Sequence, residues 1–498
     1  MNQVDETHTL KFTGLVAAAY WLHTTFESLN PIDSLLLVLA LIGLLAIVVV
    51  FCWERFSKRG RELFRKREFL SEVPKDLLLP KAESITMGRE TDLGVLVHLP
   101  DSIRLKHVHI LGATGSGKTE SVILNFIRQD IYRGIGAIIM DAKGDTSFIK
   151  SLREWVPDEK LRIFDLSGEA SLGYDPLSAG SALEASQRLF SSLTWSEEYY
   201  KSKAFSALHR IFQYHFERFD RNPLLAEVDD YLSTPKKFAS FVQNSDYPAK
   251  LAEADFEDLS GLRDQIKTLN LGHLSKILSP TQNQAIDLRD AYQGAVIYFR
   301  LQSLLSPQLV SILGKLLINH LNFLAGTAHR AEGAAIRSKL VPTYLDEFAS
   351  FACPEFADLI SKARSAGMAL HFSHQSIGDL AEVSKGFLNQ ITDNSATKII
   401  MRINDPDTAE YFAKAFGTKI YQKITQRITN VQEVDLAEVV GEGSQREAHQ
   451  FRASPDLFKT LPTGMGSVLI AHGHDTPHGA SSVFKIRFPK LEPKEVNA

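Results

Sequence analysis

The residues 112–119, Gly112-Ala113-Thr114-Gly115-Ser116-Gly117-Lys118-Thr119, follow the apolar run His109-Ile110-Leu111. They fill every fixed position of the pattern G-x-x-x-x-G-K-[ST]. Glycines let a backbone curl until successive N–H groups point inward at phosphate oxygens. A helix opening at Lys118 would add the positive end of its dipole. In such a loop the Lys118 ammonium reaches the β- and γ-phosphates, and the Thr119 hydroxyl ligates Mg²⁺. The plain alternative is a glycine-rich turn between strand and helix. Here the strand, the turn and the helix come in the order that binding of a nucleoside triphosphate requires.

A second group of residues supplies the chemistry that a bound triphosphate would need. Residues 340–345 form an apolar run ending in Asp346-Glu347. An acid at the tip of a buried strand beside the loop can hold Mg²⁺, as Asp346 would. The next acid, Glu347, can polarise an attacking water as general base. Gln375, just past the strand 369–373, can sense the γ-phosphate or orient that water. Arg364 precedes Gln375 by eleven residues on a helix read over 356–366. Its spacing fits a surface helix arginine and a residue reaching a neighbouring subunit's γ-phosphate equally well. Arg402 and Arg452 are further candidates for that role. His371 and His374 lack the companions a metal site needs and read as structural.

These residues need a scaffold. The chain has 498 residues, 44% hydrophobic and 23% charged, with a net charge of −4. That is room for more than one domain and no global signature of a nucleic-acid binder, so any such site is a local patch. The two cysteines, Cys52 and Cys353, have neither disulfide nor metal-ligand spacing. Apolar runs at 106–111, 134–140 and 161–166 alternate with helical patterns, as in a parallel sheet covered on both faces. Strand signals then stop. Segments 181–194, 197–219, 224–232 and 249–278 carry helical periodicity, giving an inserted all-α subdomain over 178–290. Asp346 lies 228 positions after Lys118, far more than a compact nucleotide-binding core needs, which agrees with the insertion. Strands resume at 294–301, 340–345, 369–373 and 397–402, and 466–472 with 483–488 read as a closing hairpin. Residues 416–450 read as a polar, irregular surface excursion. The fold class is therefore α/β, with a nucleotide-binding domain over 106–177 and 291–498.

The N-terminal region is different. Residues 34–52 are nineteen uncharged, mostly apolar positions, enough for a transmembrane helix. A second segment near 10–26 is shorter and flanked by polar residues, and reads as a span or an interfacial helix. Arg55, Lys58, Arg59, Arg61, Arg65, Lys66 and Arg67 follow. They place that side in the cytoplasm, which holds the ATP. Residues 1–53 are thus expected to be a membrane anchor, and 54–105 a basic juxtamembrane segment and linker containing small strands.

GATGSGKT (112–119), IIMDAKGD (138–145), YDPLS (174–178), YLDEFAS (344–350) and ARSAGMALHFSHQS (363–376) occur in an order that resembles the TraG/TraD-type coupling proteins of conjugation and type IV secretion. Those proteins belong to the FtsK/HerA-like group of RecA-fold motors. The likeness covers most of residues 34–488. It implies a RecA-like P-loop ATPase using ATP and Mg²⁺, anchored in the bacterial inner membrane and assembled as a homo-hexamer. Its partners would be a relaxase with single-stranded DNA, or a protein substrate, and the components of the secretion channel. By the same resemblance, the insertion would be the all-α domain that receives substrate. Gln375 and Arg364 stand where the family has its sensing glutamine and its proposed trans-acting arginine. A duplex-DNA translocase of the FtsK/HerA kind and an adaptor whose ATP use controls assembly only are the two alternative readings.

Overall fold

In the computed structural model the described residues are 82–168, 171–242, 255–281, 285–328, 339–429, 438–471 and 481–490. They lie within one unit, Glu72–Ala498. The proposed membrane anchor, 1–53, is outside the described residues, as is the basic segment that follows it.

The strands in chain order are β1 Ser84–Glu90, β2 Leu96–Pro100, β3 Val108–Leu111, β4 Ala137–Asp141, β5 Leu161–Asp165, β6 Val296–Arg300, β7 Val341–Asp346, β8 Met368–His374, β9 Thr397–Ile400, β10 Thr418–Thr429, β11 Glu438–Phe451, β12 Met465–Ala471 and β13 Ser481–Arg487. Eleven form one sheet in the order β2-β1-β13-β12-β9-β3-β8-β7-β4-β6-β5. From β9 to β5 every neighbouring pair is parallel. The strands on the other side, starting with β12, are antiparallel. Parallel strands are fully buried, so their sequences read as near-continuous apolar runs. Alternate side chains still part to opposite faces. Ile138 and Met140 join one core with Ile297 and Phe299. Ala137 and Ile139 join the other with Val296 and Tyr298.

The helix leaving the phosphate loop starts as a π-helical turn, Lys118–Ile123, and continues as Leu124–Tyr132. It buries Val122, Ile123, Phe126 and Ile127 against the second core. Between β5 and β6 the described residues hold no strand, only an isolated bridge between Gly173 and Ala285. They hold the α-helices Ala182–Ser192, Glu198–Phe219, Leu225–Tyr231, Pro235–Val242, Ser260–Leu269 and Leu274–Leu278, with a 3₁₀ turn at Leu288–Gln293. The expected helix over 249–278 is interrupted, with Asn270 capping one piece and Gly272 (φ +59°) beyond it. The insertion shares the first core with the helix Pro307–Thr327. That helix is long and apolar enough to cross a bilayer, yet 67% of its most apolar stretch is buried. Gly314 explains its close fit: a Cβ there would meet Phe351 Cβ at 2.3 Å.

Two expectations change. Residues 84–100, expected as small strands within a linker, are built into the main sheet. They form β1 and β2, the far edge of the sheet, with Ile85, Met87, Val97 and Leu99 in the second core. Two short strands of mixed polarity show too little periodicity to reveal that β1 pairs with β13, almost four hundred residues later. Within 416–450, the residues 418–429 and 438–450 are strands, not irregular. β10 and β11 make a long antiparallel hairpin separate from the main sheet. Its base exposes Ile420 and Tyr421. At its described base, 418–422 and 446–451, the ribbon is mostly exposed, which leaves no alternating apolar signal there to read.

Candidate nucleotide site

Parallel strands bring their C-terminal tips to one edge of a sheet, and ligands bind in the crevice outside those tips. Here β8 lies between β3 and β7. That order places Gln375, just beyond β8, between the phosphate loop on one side and Asp346-Glu347 on the other.

The loop itself is held from both flanks. Gly112 N–H donates to the His374 carbonyl (3.3 Å), and Ala113 N–H to the Arg402 carbonyl (2.7 Å). Gly464 N–H donates to the Ser116 carbonyl (3.0 Å), and the Thr463 hydroxyl to the Gly115 carbonyl (3.2 Å). Gly115 (φ +73°) and Gly117 (φ +98°) are left-handed, a conformation that side chains resist. A Cβ on Gly117 would approach Ser121 Oγ at 3.1 Å and Gly464 N at 3.2 Å. Ser116 Oγ is buried with no hydrogen-bond partner. Lys118 is buried, and its ammonium donates to the Gly112 carbonyl at 2.7 Å. A cradle a side chain would fill, an unpartnered hydroxyl and a folded-back lysine together fit a phosphate.

The acids complete the fit. Thr119 Oγ1 donates to Asp346 Oδ2 at 2.7 Å. This is an all-oxygen pair of the kind Mg²⁺ prefers. The Ser373 hydroxyl donates to Asp346 Oδ1 at 2.5 Å. Glu347 has φ +51°, rare for a residue with a side chain. Such a conformation costs about 1–3 kcal/mol and persists only where surrounding contacts hold it. Those contacts are its N–H donating to Asp346 Oδ1 (3.1 Å) and to Ser373 Oγ (3.3 Å). The turned backbone brings Glu347 Oε1 to 4.0 Å from Lys118 Nζ. Gln375 Nε2 donates to Glu347 Oε2 (3.2 Å), and Thr114 Oγ1 donates to Gln375 Oε1 (3.1 Å). Thr114, Lys118, Thr119, Asp346, Glu347 and Gln375 thus form one connected constellation.

Arg364 is not part of it. It is exposed on the short helical turn Ala363–Ala366, which follows the helix Glu355–Lys362 and precedes β8. At about 3.3 Å per strand residue, β8 separates it from Gln375 by roughly 20 Å. It stands at the other edge of the sheet, beside His107, whose imidazole is pushed down to about 4 chiefly by burial, with the Arg364 charge adding to the shift. Arg402 touches the loop through its carbonyl, and Arg452 is engaged with Ser481, away from the site.

Sequence reading passed over three contributors. Asp141, at the tip of β4, is in register with Asp346 on β7. Burial first, then the Asp346 charge, pushes its carboxyl up to about 6, although it accepts from the N–H groups of Lys143, Gly144 and Asp145 and from the Tyr298 hydroxyl. Ser373 is the second, and Thr463-Gly464 the third. The strand-end acid of 138–145 was a visible signal for the first. The other two depend on which strands are neighbours. Beneath the site, His109 and His374 are both buried with Nε2 atoms 2.5 Å apart. Burial would raise the Asp379 carboxyl, but the His374 imidazole and the N–H groups of Gln375 and Ser376 outweigh it and hold Asp379 below the usual carboxylate range.

By comparison with known proteins, residues 341–457 match the family described as the TraM recognition site of TraD and TraG. The type 4 coupling protein DotL of Legionella pneumophila strain Philadelphia 1 is 25% identical over 391 residues, covering 64% of this chain and 50% of DotL. The chain therefore spans about half the length of that relative. The fold is shared with the plasmid coupling protein TrwB in complex with ADP and Mg²⁺ (TM-score 0.58, 16% identity, 84% of this chain and 93% of that one). It is also shared with VirB4 of Thermoanaerobacter pseudethanolicus (TM-score 0.53, 16% identity, 82% of this chain and 97% of that one).

Proposed function

We propose that this chain, a member of the TraG/TraD-type coupling proteins, is a membrane-anchored ATP hydrolase that recruits a relaxase with its single-stranded DNA, or a protein substrate, and drives its transfer through a type IV secretion channel. One observation carries the enzymatic part: Gln375 joins the phosphate loop, through Thr114, to the acid Glu347. Such an arrangement links hydrolysis to the presence of a γ-phosphate.

Bound Mg²⁺ would neutralise charge on the phosphates, with Thr119 and Asp346 holding it. The remaining work falls to the chain. The loop N–H groups and Lys118 bind the phosphate oxygens, the lysine exchanging its Gly112 carbonyl for them. Glu347 accepts a proton from the attacking water, which the Gln375 amide orients. The left-handed turn at Glu347 keeps its carboxylate at the crevice.

The position of Arg364 supports a ring in which each site is completed by a neighbour. A residue at the far edge of the sheet cannot reach its own loop, but it can reach the loop of a second subunit packed head to tail. A homo-hexamer, inner-membrane anchoring through 34–52 and substrate reception by the helical insertion follow from the family resemblance and belong to the same proposal.

The test is ATPase activity of the full-length protein in nanodiscs, alone and with single-stranded or duplex DNA. Stimulation by single strands supports the proposal. Preference for duplex points to an FtsK/HerA-like translocase, and indifference to both points to an adaptor.

A further inference from the structure

We propose that Ser373 is a positioning residue for hydrolysis: its hydroxyl sets the orientation of the metal-side carboxylate and of the general base together. This rests on the ATP-hydrolase reading above and names a residue that reading does not use. Ser373 lies on β8, one strand from β7, and is fully buried. Its Oγ donates to Asp346 Oδ1 at 2.5 Å. The same Oγ accepts the Glu347 N–H at 3.3 Å.

These two bonds have separate consequences. The first occupies Oδ1, so Oδ2 is the oxygen left for Thr119, which it meets at 2.7 Å. A carboxylate without that anchor can turn about its Cβ–Cγ bond and present either oxygen. The second bond helps hold Glu347 at φ +51°, the turn that brings its carboxylate toward Lys118 and Gln375. The only other hydrogen bond to Asp346 Oδ1 among the described residues is the Glu347 N–H at 3.1 Å. That single N–H is shared between Asp346 Oδ1 and Ser373 Oγ, so the Ser373 hydroxyl is the side-chain donor that holds Oδ1 and also accepts part of the Glu347 N–H. A merely structural serine would satisfy a buried acid and affect stability; a positioning serine also affects how tightly the site takes a divalent cation. Groups that orient metal ligands typically change metal affinity by about 10–100-fold when removed.

The experiment uses the full-length protein in nanodiscs with Ser373→Ala, Ser373→Thr and Ser373→Cys. The primary readout is a Mg²⁺ titration of the binding of a fluorescent ADP analogue, which needs no turnover. The Ser373→Ala variant is expected to need about tenfold or more Mg²⁺. Its affinity for the analogue in EDTA should stay within about twofold, and kcat should fall more than KM rises. The Ser373→Thr variant keeps a hydroxyl and should recover most of the Mg²⁺ affinity. A folded Ser373→Ala variant with wild-type Mg²⁺ dependence overturns the proposal. If alanine prevents folding, the Ser373→Cys variant, a weaker donor of similar size, decides: intermediate Mg²⁺ affinity supports the proposal and wild-type affinity overturns it. Should the wild-type protein bind the analogue with Mg²⁺ but never hydrolyse ATP, the functional reading fails while this titration still judges Ser373.

Discussion

Thr119 Oγ1 and Asp346 Oδ2 stand 2.7 Å apart although 227 positions separate them in the chain. The whole helical insertion and β4 to β6 lie between them in sequence. The pair forms because β3 and β7 are parallel and separated by β8 alone, so their tips reach the same edge.

Lys118 and Glu347 meet at the same edge, 4.0 Å apart, with different expected roles. Glu347→Gln should lower kcat by about 10²–10⁴-fold while nucleotide affinity stays nearly unchanged. Lys118→Ala should lose both binding and turnover, and with them substrate transfer. Fluorescent-nucleotide binding beside a phosphate-release assay checks each.

Arg364, exposed at the opposite edge, should matter only in trans. Arg364→Ala should reduce turnover by about 10³-fold or more, the usual worth of such an arginine, with nucleotide binding intact. Mixed with Glu347→Gln subunits, it should regain activity, because some interfaces then pair a normal Glu347 with a normal Arg364. Absence of any regain in the mixture would remove Arg364 from catalysis.

Gly464 (φ +75°) carries the N–H that clamps the Ser116 carbonyl. Gly464→Val strains that turn and loosens the loop. Nucleotide affinity should fall at least about tenfold by calorimetry, and the melting temperature of the apo protein should fall as well, because a β-branched residue is strained at positive φ.

The fully buried Arg104 guanidinium grips Asp130 at 2.8 and 2.6 Å and the Tyr344 hydroxyl at 3.1 Å, tying the loop's helix to β7. Arg104→Leu leaves the buried Asp130 carboxylate only the Tyr344 hydroxyl (2.5 Å) and the more distant Arg133 guanidinium (3.5 Å), and should destabilise by about 3–5 kcal/mol. Adding Asp130→Leu should restore part of the loss, measured by denaturant titration as a double-mutant cycle.

Burial pushes the Asp175 carboxyl up to about 6, against nearby Arg188 and Arg221, which lower it. A carboxyl with a folded-state pKa above its unfolded value favours folding while protonated, and that contribution is lost as pH rises through about 6. Asp175→Asn should therefore melt higher than wild type at pH 7, with the gap closing toward pH 4.

Much of this protein is local in origin and was legible from the chain alone. The loop 112–119 carries its own turn chemistry, and the long parallel strands carry their own apolar runs. The missing strand signal marked the insertion because a helical stripe repeats every few residues. Asp346, Glu347 and Gln375 were recognisable because each follows a buried strand. Tertiary structure alone decided the rest. Ser373 and Gly464 become functional only through the neighbours of β8 and β12, and strand order is a property of pairing that no short window contains. Likewise β1 joins the sheet through a strand near the opposite end of the chain. Arg364 shows the limit most plainly: its spacing fitted two roles, and only its place at the far edge of β8 separated it from the site its own chain builds.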